Sequence, residues 1–394
     1  MIPFTHQTEL AKEGLEKLKS YGICYLSCEE RTGKTLAAIL LAEDFNCRSV
    51  LVITKKKALG GWHETLAAFP HTKNYTVTNY HQAHKQHKHD LVIMDEAHNY
   101  ISAFPKPGKI WKELRYICRQ RPIVYLSATP HAQGYQQLYH QFALSSYTPW
   151  PTYSNFYNWF RSYGKPYTLE INGIQINQYN RCHEDRVWAS CEHLFLTKSR
   201  HDLGFEHEPT DKIHMIELDK STRHVYNELL DHNIVDLKAG TLVCDTNSKL
   251  RFSLHMLEGG VAKIDENYVV LTNREKITYI KEHFGDHEGL VIMHNYKAEE
   301  IKLNMAFKQA KILQATSYAE GVDLHKYSDL VIYSQDFSTA RHTQRRARQA
   351  NKNRDTPIIV HYLLVKKGIS EQVYKTVSLN KKNFVDSRFK RTAI

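Results

Sequence analysis

The sequence predicts an α/β protein made of two tandem parallel-sheet domains, with a helical, aromatic-rich insertion between them. Three observations predict it. Short apolar runs recur, each followed by a polar turn and a helical pattern; they fall into two series; and the stretch between the series breaks the rhythm. The runs are continuous rather than alternating, which marks strands buried on both faces and hence parallel sheets covered by helices. At 394 residues the chain suits two to three domains of roughly 100–200 residues each.

The first series is ICYLS (23–27), SVLVIT (49–54), DLVIMD (90–95) and PIVYLS (122–127). The second is GLVIM (289–293), KILQAT (311–316), DLVIYS (329–334) and PIIVHYLL (357–364), and no sequence repeat relates the two. They place one domain at 1–146 and another at 211–394. Between them, 147–210 opens with YTPWPTYSNFYNWF, where Pro149 and Pro151 interrupt helix and aromatic residues crowd. This stretch is expected as an insertion and connector. Residues 220–258 read as helices protruding from the second domain, and the tail LNKKNFVDSRFKR reads as basic and loosely ordered.

Composition narrows the function classes. With 42% hydrophobic residues the chain can bury real cores. A formal net charge of +11 favours a polyanionic partner, with a phosphate backbone the obvious candidate. The seven cysteines form no C-x-x-C pair, and their odd number argues against a disulfide framework. The first residues show no charged segment followed by an apolar one, and no run of 18 or more apolar residues occurs. A soluble, cytoplasmic, monomeric protein without membrane contact is expected.

The first strand runs into Cys28-Glu-Glu-Arg31-Thr32-Gly33-Lys34-Thr35 and then a helical pattern. A tight loop entering a helix N-terminus presents backbone amides and the positive end of the helix dipole to phosphates. In that setting Arg31, Thr32 and Gly33 shape the cradle, Lys34 neutralises the β/γ oxygens, and Thr35 ligates magnesium. One feature departs from the phosphate-loop pattern: Cys28 stands where a first glycine is usual, and glycine relieves positive φ. About 60 residues on, the strand DLVIM ends in Asp95-Glu96-Ala97-His98. Carboxylates at that end of a parallel strand suit magnesium (Asp95) and the orienting of an attacking water (Glu96). The bland reading of the pair is a helix N-cap.

Here the chain resembles helicase superfamily two and, within it, the Snf-type double-stranded-DNA translocases; its compactness fits a viral member. PFTHQTELAKEGL resembles the Q-motif, which implies Gln7 on the adenine. VLVITKKKALGGW resembles motif Ia in its Snf-type form, with Lys55 where proline is usual, and VTNYHQ resembles the "T-S-Y" strand after it. LSATP (126–130) resembles motif III, which implies that Ser127, Ala128 and Thr129 couple nucleotide to the DNA track. LFLTKSRHDLGF resembles the family's connector, and MHNY (293–296) stands where motif IV belongs. ATSYAEGVDL (315–324) resembles motif V, matching at Gly321 and Asp323 on the nucleotide side. Gln344-Arg345-Arg346-Ala347-Arg348 resembles motif VI, and PIIVHYLLVKKGISEQVY resembles the family's following strand and helix. The resemblance implies two RecA-like lobes, with ATP and magnesium as cofactors.

Motif VI also has a physical argument. A guanidinium stabilises charge developing on a transferring phosphoryl group, and its planar fork has no lysine equivalent. Arg345 and Arg348 are therefore expected as catalytic cations that complete the site when the lobes close. For DNA, Lys55, Thr78, Asn79, Thr316, Ser317 and Gln344 are expected to make phosphate-directed contacts without sequence preference. For the lysine run a solvated loop is the competing reading. The histidines of HQAHKQHKH (81–89), and Cys182-His183 with Cys191 and His193, match no usual zinc spacing. Trp62 and the aromatic run 147–160 read as core.

The function expected from these residues is an ATP-dependent motor that tracks along duplex or branched DNA and remodels or branch-migrates junctions. A strand-separating DNA or RNA helicase is the first alternative. A nucleotide-dependent nucleic-acid-binding module with weak turnover is the second.

Overall fold

A computed structural model describes residues 2–131, 134–171, 174–204, 208–315, 324, 327–349 and 356–391. The chain divides into two units, Met1–Phe205 and Glu206–Ile394.

The first unit is built on β1 (Ile23–Leu26), β2 (Ser49–Thr54), β3 (Asn74–Asn79), β4 (Leu91–Asp95), β5 (Ile123–Leu126), the hairpin β6 (Tyr167–Ile171) and β7 (Ile174–Gln178), and β8 (Phe195–Leu196). Six strands form one sheet in the order β3-β2-β4-β5-β1-β8, and every pairing in it is parallel. The continuous apolar runs have the cause expected of them. Ile23 and Tyr25 enter one core with Leu51, Ile53, Val92, Met94, Ile123 and Tyr125. Their neighbours Cys24 and Leu26 enter a second core with Val50, Val52, Leu91, Ile93 and Val124. Both faces are thus covered, the second by helices Thr5–Tyr21 and Lys34–Asp44 through Leu10, Leu18, Ala38 and Leu41.

The 147–210 stretch belongs to this unit as far as residue 204. Trp150, Phe156, Trp159 and Phe160 join the first core, as expected of the aromatic run, and β8 pairs with β1. Aromatic burial explains the placement: these rings are too large to leave in water, and the open face of the sheet accepts them.

The second unit contains β9 (Thr210–Ile216), the hairpins β10 (Ile234–Leu237) with β11 (Gly240–Val243) and β12 (Val261–Ile264) with β13 (Asn267–Val270), then β14 (Leu290–His294), β15 (Lys311–Gln314), β16 (Asp329–Ile332) and β17 (Ile359–Val365). Its five-stranded parallel sheet runs β15-β14-β16-β17-β9. Here too the faces split, Leu290 and Ile292 to one core and Val291 and Met293 to the other. Residues 220–258 differ from the expected helical protrusion. The β10–β11 hairpin separates helices Lys220–His232 and Asn247–Glu258, and the second helix buries Leu250, Leu254 and Leu257 in the unit's core. Among the described residues no helix is long and apolar enough to cross a membrane. The fold is the expected one: α/β, with two RecA-like parallel sheets.

Candidate nucleotide site and its surroundings

Because all strands of the first sheet run the same way, their C-terminal ends gather five segments on one edge. These are the loop 28–33 after β1, Lys55 after β2, Thr78 and Asn79 at the end of β3, Asp95 and Glu96 at the end of β4, and Ser127–Thr129 after β5. That edge is where open α/β sheets bind ligands.

The loop turns on two left-handed residues, Arg31 (φ 67°) and Gly33 (φ 77°). Cys28 is not among them, so the position lacks the backbone demand that glycine would meet. Its thiol is buried instead, donating weakly to the Leu196 carbonyl at 3.6 Å, and burial pushes its pKa up. At Gly33 a side chain is excluded, since a Cβ would stand 1.9 Å from Gln7 Nε2. Gly33 caps helix Lys34–Asp44, whose first turn has no acidic residue and no side-chain cap. The helix amides are therefore available to an anion. Lys34 Nζ donates to the Cys28 and Glu29 carbonyls at 2.6 and 2.7 Å, and Thr32 Oγ1 donates to Glu29 O at 2.8 Å.

Helix Thr5–Tyr21 is fastened beneath this loop. His6 Nε2 lies 3.1 Å from the Thr32 carbonyl. Gln7 accepts the Phe4 amide at 2.9 Å and donates to Gly33 O at 3.4 Å. Gln7, expected on the adenine, is thus engaged by its own helix start and by the loop.

A second brace was not read from the sequence. Arg200, its side chain 5% exposed, sets Nε 3.7 Å from Glu29 and Nη1 3.9 Å from Glu30. Its amide also donates to Glu29 at 2.8 Å. Two acids in a phosphate-facing loop oppose its purpose, and the guanidinium offsets them.

Asp95 Oδ2 accepts from Thr54 Oγ1 at 2.7 Å and Trp62 Nε1 at 3.1 Å. Trp62 is a core residue, as expected, but its ring nitrogen also orients this carboxylate. Glu96 holds an unusual left-handed backbone (φ 53°), its amide donating to Leu126 O at 2.7 Å. Burial pushes the Glu96 carboxyl up to about 7, with Asp95 and Glu30 adding to it and Lys55 and Lys34 opposing. Glu96 Oε2 lies 3.6 Å from His98 Nδ1 and has no hydrogen-bond partner among the described residues. His98 is pushed down to about 3 by burial and so is neutral. Its Nδ1 meets Ser127 Oγ at 2.9 Å, and that oxygen accepts the Thr129 amide at 3.1 Å. His98 thus bonds Ser127, which holds the Thr129 amide, while Glu96 stands beside His98 without a hydrogen bond to it.

Lys55, expected on DNA, acts electrostatically on both Glu96 and His98. Thr78 is buried, and Asn79 Oδ1 accepts the His81 amide at 3.0 Å. Ala128 is half-buried between Ser127 and Thr129.

In the second unit, Arg345 is 2% exposed. Its Nη2 donates to Asn295 Oδ1 at 2.5 Å and to Asp336 Oδ2 at 3.0 Å. Arg345 is thus a paired, buried cation rather than one presented at a surface. Arg346 Nε donates to Asp211 at 2.6 Å, and Asp211 also accepts the Tyr374 hydroxyl at 2.7 Å. Gln344 is half-buried on helix Thr339–Arg346. The backbone of Arg348 lies in the short turn Ala347–Gln349, and its side chain is outside the described residues. Thr316, Ser317, Gly321 and Asp323 also lie outside them.

The zinc-like residues have structural duties. Cys182 Sγ donates to Gln136 Oε1 and Cys191 Sγ to Val187 O. His84 sits 3.8 Å from Glu113. Among the described residues no group of three or more His, Cys, Asp or Glu could hold a metal ion. Magnesium carried with a nucleotide needs only one or two protein ligands; Thr35 and Asp95 supply the right oxygen chemistry.

Residues 1–132 match the family model "Type III restriction enzyme, res subunit". No curated protein matches the chain. Two solved structures of the Sulfolobus solfataricus SWI2/SNF2 ATPase core are similar over 97% of this chain, at TM-score 0.41. One is a complex with dsDNA (13% identity, 92% of that chain) and the other is the core domain (12%, 90%). Neither likeness carries the reading of the site, which rests on this chain's own residues.

Proposed function

We propose that the protein is an ATP-hydrolysing motor of helicase superfamily two, closest to the Snf type, that moves along duplex or branched DNA. The observation that carries this reading is Glu96, buried with one oxygen unbonded beside the His98–Ser127 hydrogen bond and set on the same sheet edge as the phosphate-facing loop. The match of residues 1–132 to the family of the type III restriction enzyme res subunit supports the nucleic-acid-dependent ATPase at the coarse level.

Magnesium, held by Thr35 and Asp95, would neutralise charge on the β and γ oxygens. Lys34 would exchange its two loop carbonyls for phosphate oxygens, a favourable trade of neutral for charged acceptors. Asp95 is already oriented by Thr54 and Trp62, so little reordering is needed. Glu96, with a pKa of about 7, can take a proton from water near neutral pH. That poise favours turnover over mere nucleotide-gated binding. His98 and Ser127 would pass a change at Glu96 on to the 127–129 segment. Arg348 is the proposed finger on the γ-phosphate.

The test is ATP turnover against single-stranded, duplex, forked and four-way DNA and RNA. The motor reading expects duplex or branched DNA to stimulate hydrolysis most. Stimulation by single strands alone would favour a strand-separating helicase, and no stimulation by any of them would overturn the motor.

A further inference from the structure

A basic pocket of about 480 Å³ lies on the first unit, lined by Lys88, Lys112, Arg115, Tyr116, Arg119 and Arg121 among others. Its place in the fold separates it from the nucleotide site. Lys88 lies three residues before β4 and Arg121 two before β5, so the pocket sits at the N-terminal edge of the sheet. Along β4 alone, about 13 Å of strand separates that edge from Asp95.

Five cations converge there and no acid lines the pocket. The nearest carboxylates are largely engaged outside the pocket. Glu113 is paired with Lys109 at 3.7 Å and His84 at 3.8 Å, and Asp90, which accepts the Arg48 and Ser49 amides, interacts with only one of the five, Arg121. The C-terminus of helix Lys109–Cys118 favours one or two cations through its dipole. Five exceed that need and repel one another unless an anion intervenes. Tyr116 gives the second, independent sign. It is 76% exposed, the most exposed aromatic ring among the described residues, and Lys88 Nζ stands 4.3 Å from its centroid. Apart from that cation on its face, most of the ring is open to solvent.

We propose that this pocket is a second nucleic-acid contact, which takes an unpaired strand. Lys112, Arg115, Arg119 and Arg121 hold its phosphates and Tyr116 stacks one of its bases. A concave cationic surface with an exposed aromatic platform is the chemistry that grips single strands. A duplex keeps its bases inside and leaves Tyr116 nothing to stack on. The proposal rests on the reading of the protein as acting on nucleic acid, and it adds a grip outside the motor track.

The test uses fluorescence anisotropy of a labelled oligothymidylate on the full chain without nucleotide, over a salt series. It compares wild type, the double variant Lys112→Gln/Arg119→Gln and Tyr116→Ala, with thermal midpoints confirming folding. The double variant should lower the slope of log K against log salt by about 1.4, the loss of two single-strand phosphate contacts. Tyr116→Ala should weaken binding about tenfold with the slope unchanged. Duplex-stimulated ATP turnover should stay at the wild-type level in both. Unchanged affinity and slope would overturn the pocket. So would polyglutamate competing as well as the oligonucleotide while Tyr116→Ala binds normally, which would point to an acidic protein partner. Failure of the motor reading looks different: wild-type turnover would then ignore duplex DNA altogether.

Discussion

The two sheets share a layout but end differently. On the first, the C-terminal edge carries groups poised for exchange: Lys34 on loop carbonyls, and Glu96 with one oxygen unbonded and a pKa of about 7. On the second, the corresponding groups are more heavily bonded. Arg345 is buried on Asp336 and Asn295, while Glu299 accepts the Asn295 and Tyr296 amides and the Ser334 hydroxyl. The contrast lies in how much bonding each group already holds: Arg345 and Glu299 each have several partners, although Arg345 Nε and Glu299 Oε1 have none among the described residues, whereas Glu96 leaves Oε2 open on the edge beside the phosphate-facing loop.

The largest effects should fall on the first edge and on Arg348. Lys34→Ala and Arg348→Ala should each lower ATP turnover by a factor on the order of 10³ or more. Steady-state turnover checks this, with DNA affinity in nucleotide-free buffer nearly unchanged because many separate phosphates supply it. Normal turnover in Arg348→Ala would reassign that residue to DNA. Glu96→Gln should lower kcat by about 10²–10⁴ while still binding ATP; wild-type turnover would remove it as the base.

Arg345→Ala should break the comparison's other side. It leaves the buried Asp336 carboxylate with Arg341 at 3.2 Å as its remaining cation, a loss of roughly 1–3 kcal/mol, read as a fall in denaturant midpoint. If stability holds and only turnover falls, Arg345 is a catalytic finger after all.

Two smaller effects sharpen the first edge. The proposed base role of Glu96 requires its ionised form, and burial raises its pKa to about 7. Turnover should therefore fall as pH drops through neutrality, about tenfold per unit below it, and the residual turnover of Glu96→Gln should lack that limb. Arg200→Ala should raise the KM for ATP roughly tenfold. An unmasked unit charge about 10 Å from the phosphates costs about 1.7 kcal/mol at an effective dielectric near 20.

Much of this was legible in the sequence. The eight apolar runs became strands because burial on both faces demands unbroken β-branched stretches, and that pattern is local. The loop at 28–35 and the acids at 95–96 were legible because motif spacing is local too. What escaped was long-range. Arg200 reaches a loop some 170 positions earlier, and Trp62 reads as core until its ring nitrogen is seen on Asp95. Arg345 looked like a finger because charge in a motif says nothing about a buried partner such as Asp336. Glu96's positive φ and raised pKa likewise depend on its surroundings.

The most direct test of the motor is displacement of the third strand from a DNA triplex, run beside a forked duplex with a long arm. ATP should drive triplex displacement by the wild-type protein, Glu96→Gln should fail, and the fork should stay largely paired. Efficient separation of the fork with no triplex displacement would contradict translocation on duplex DNA.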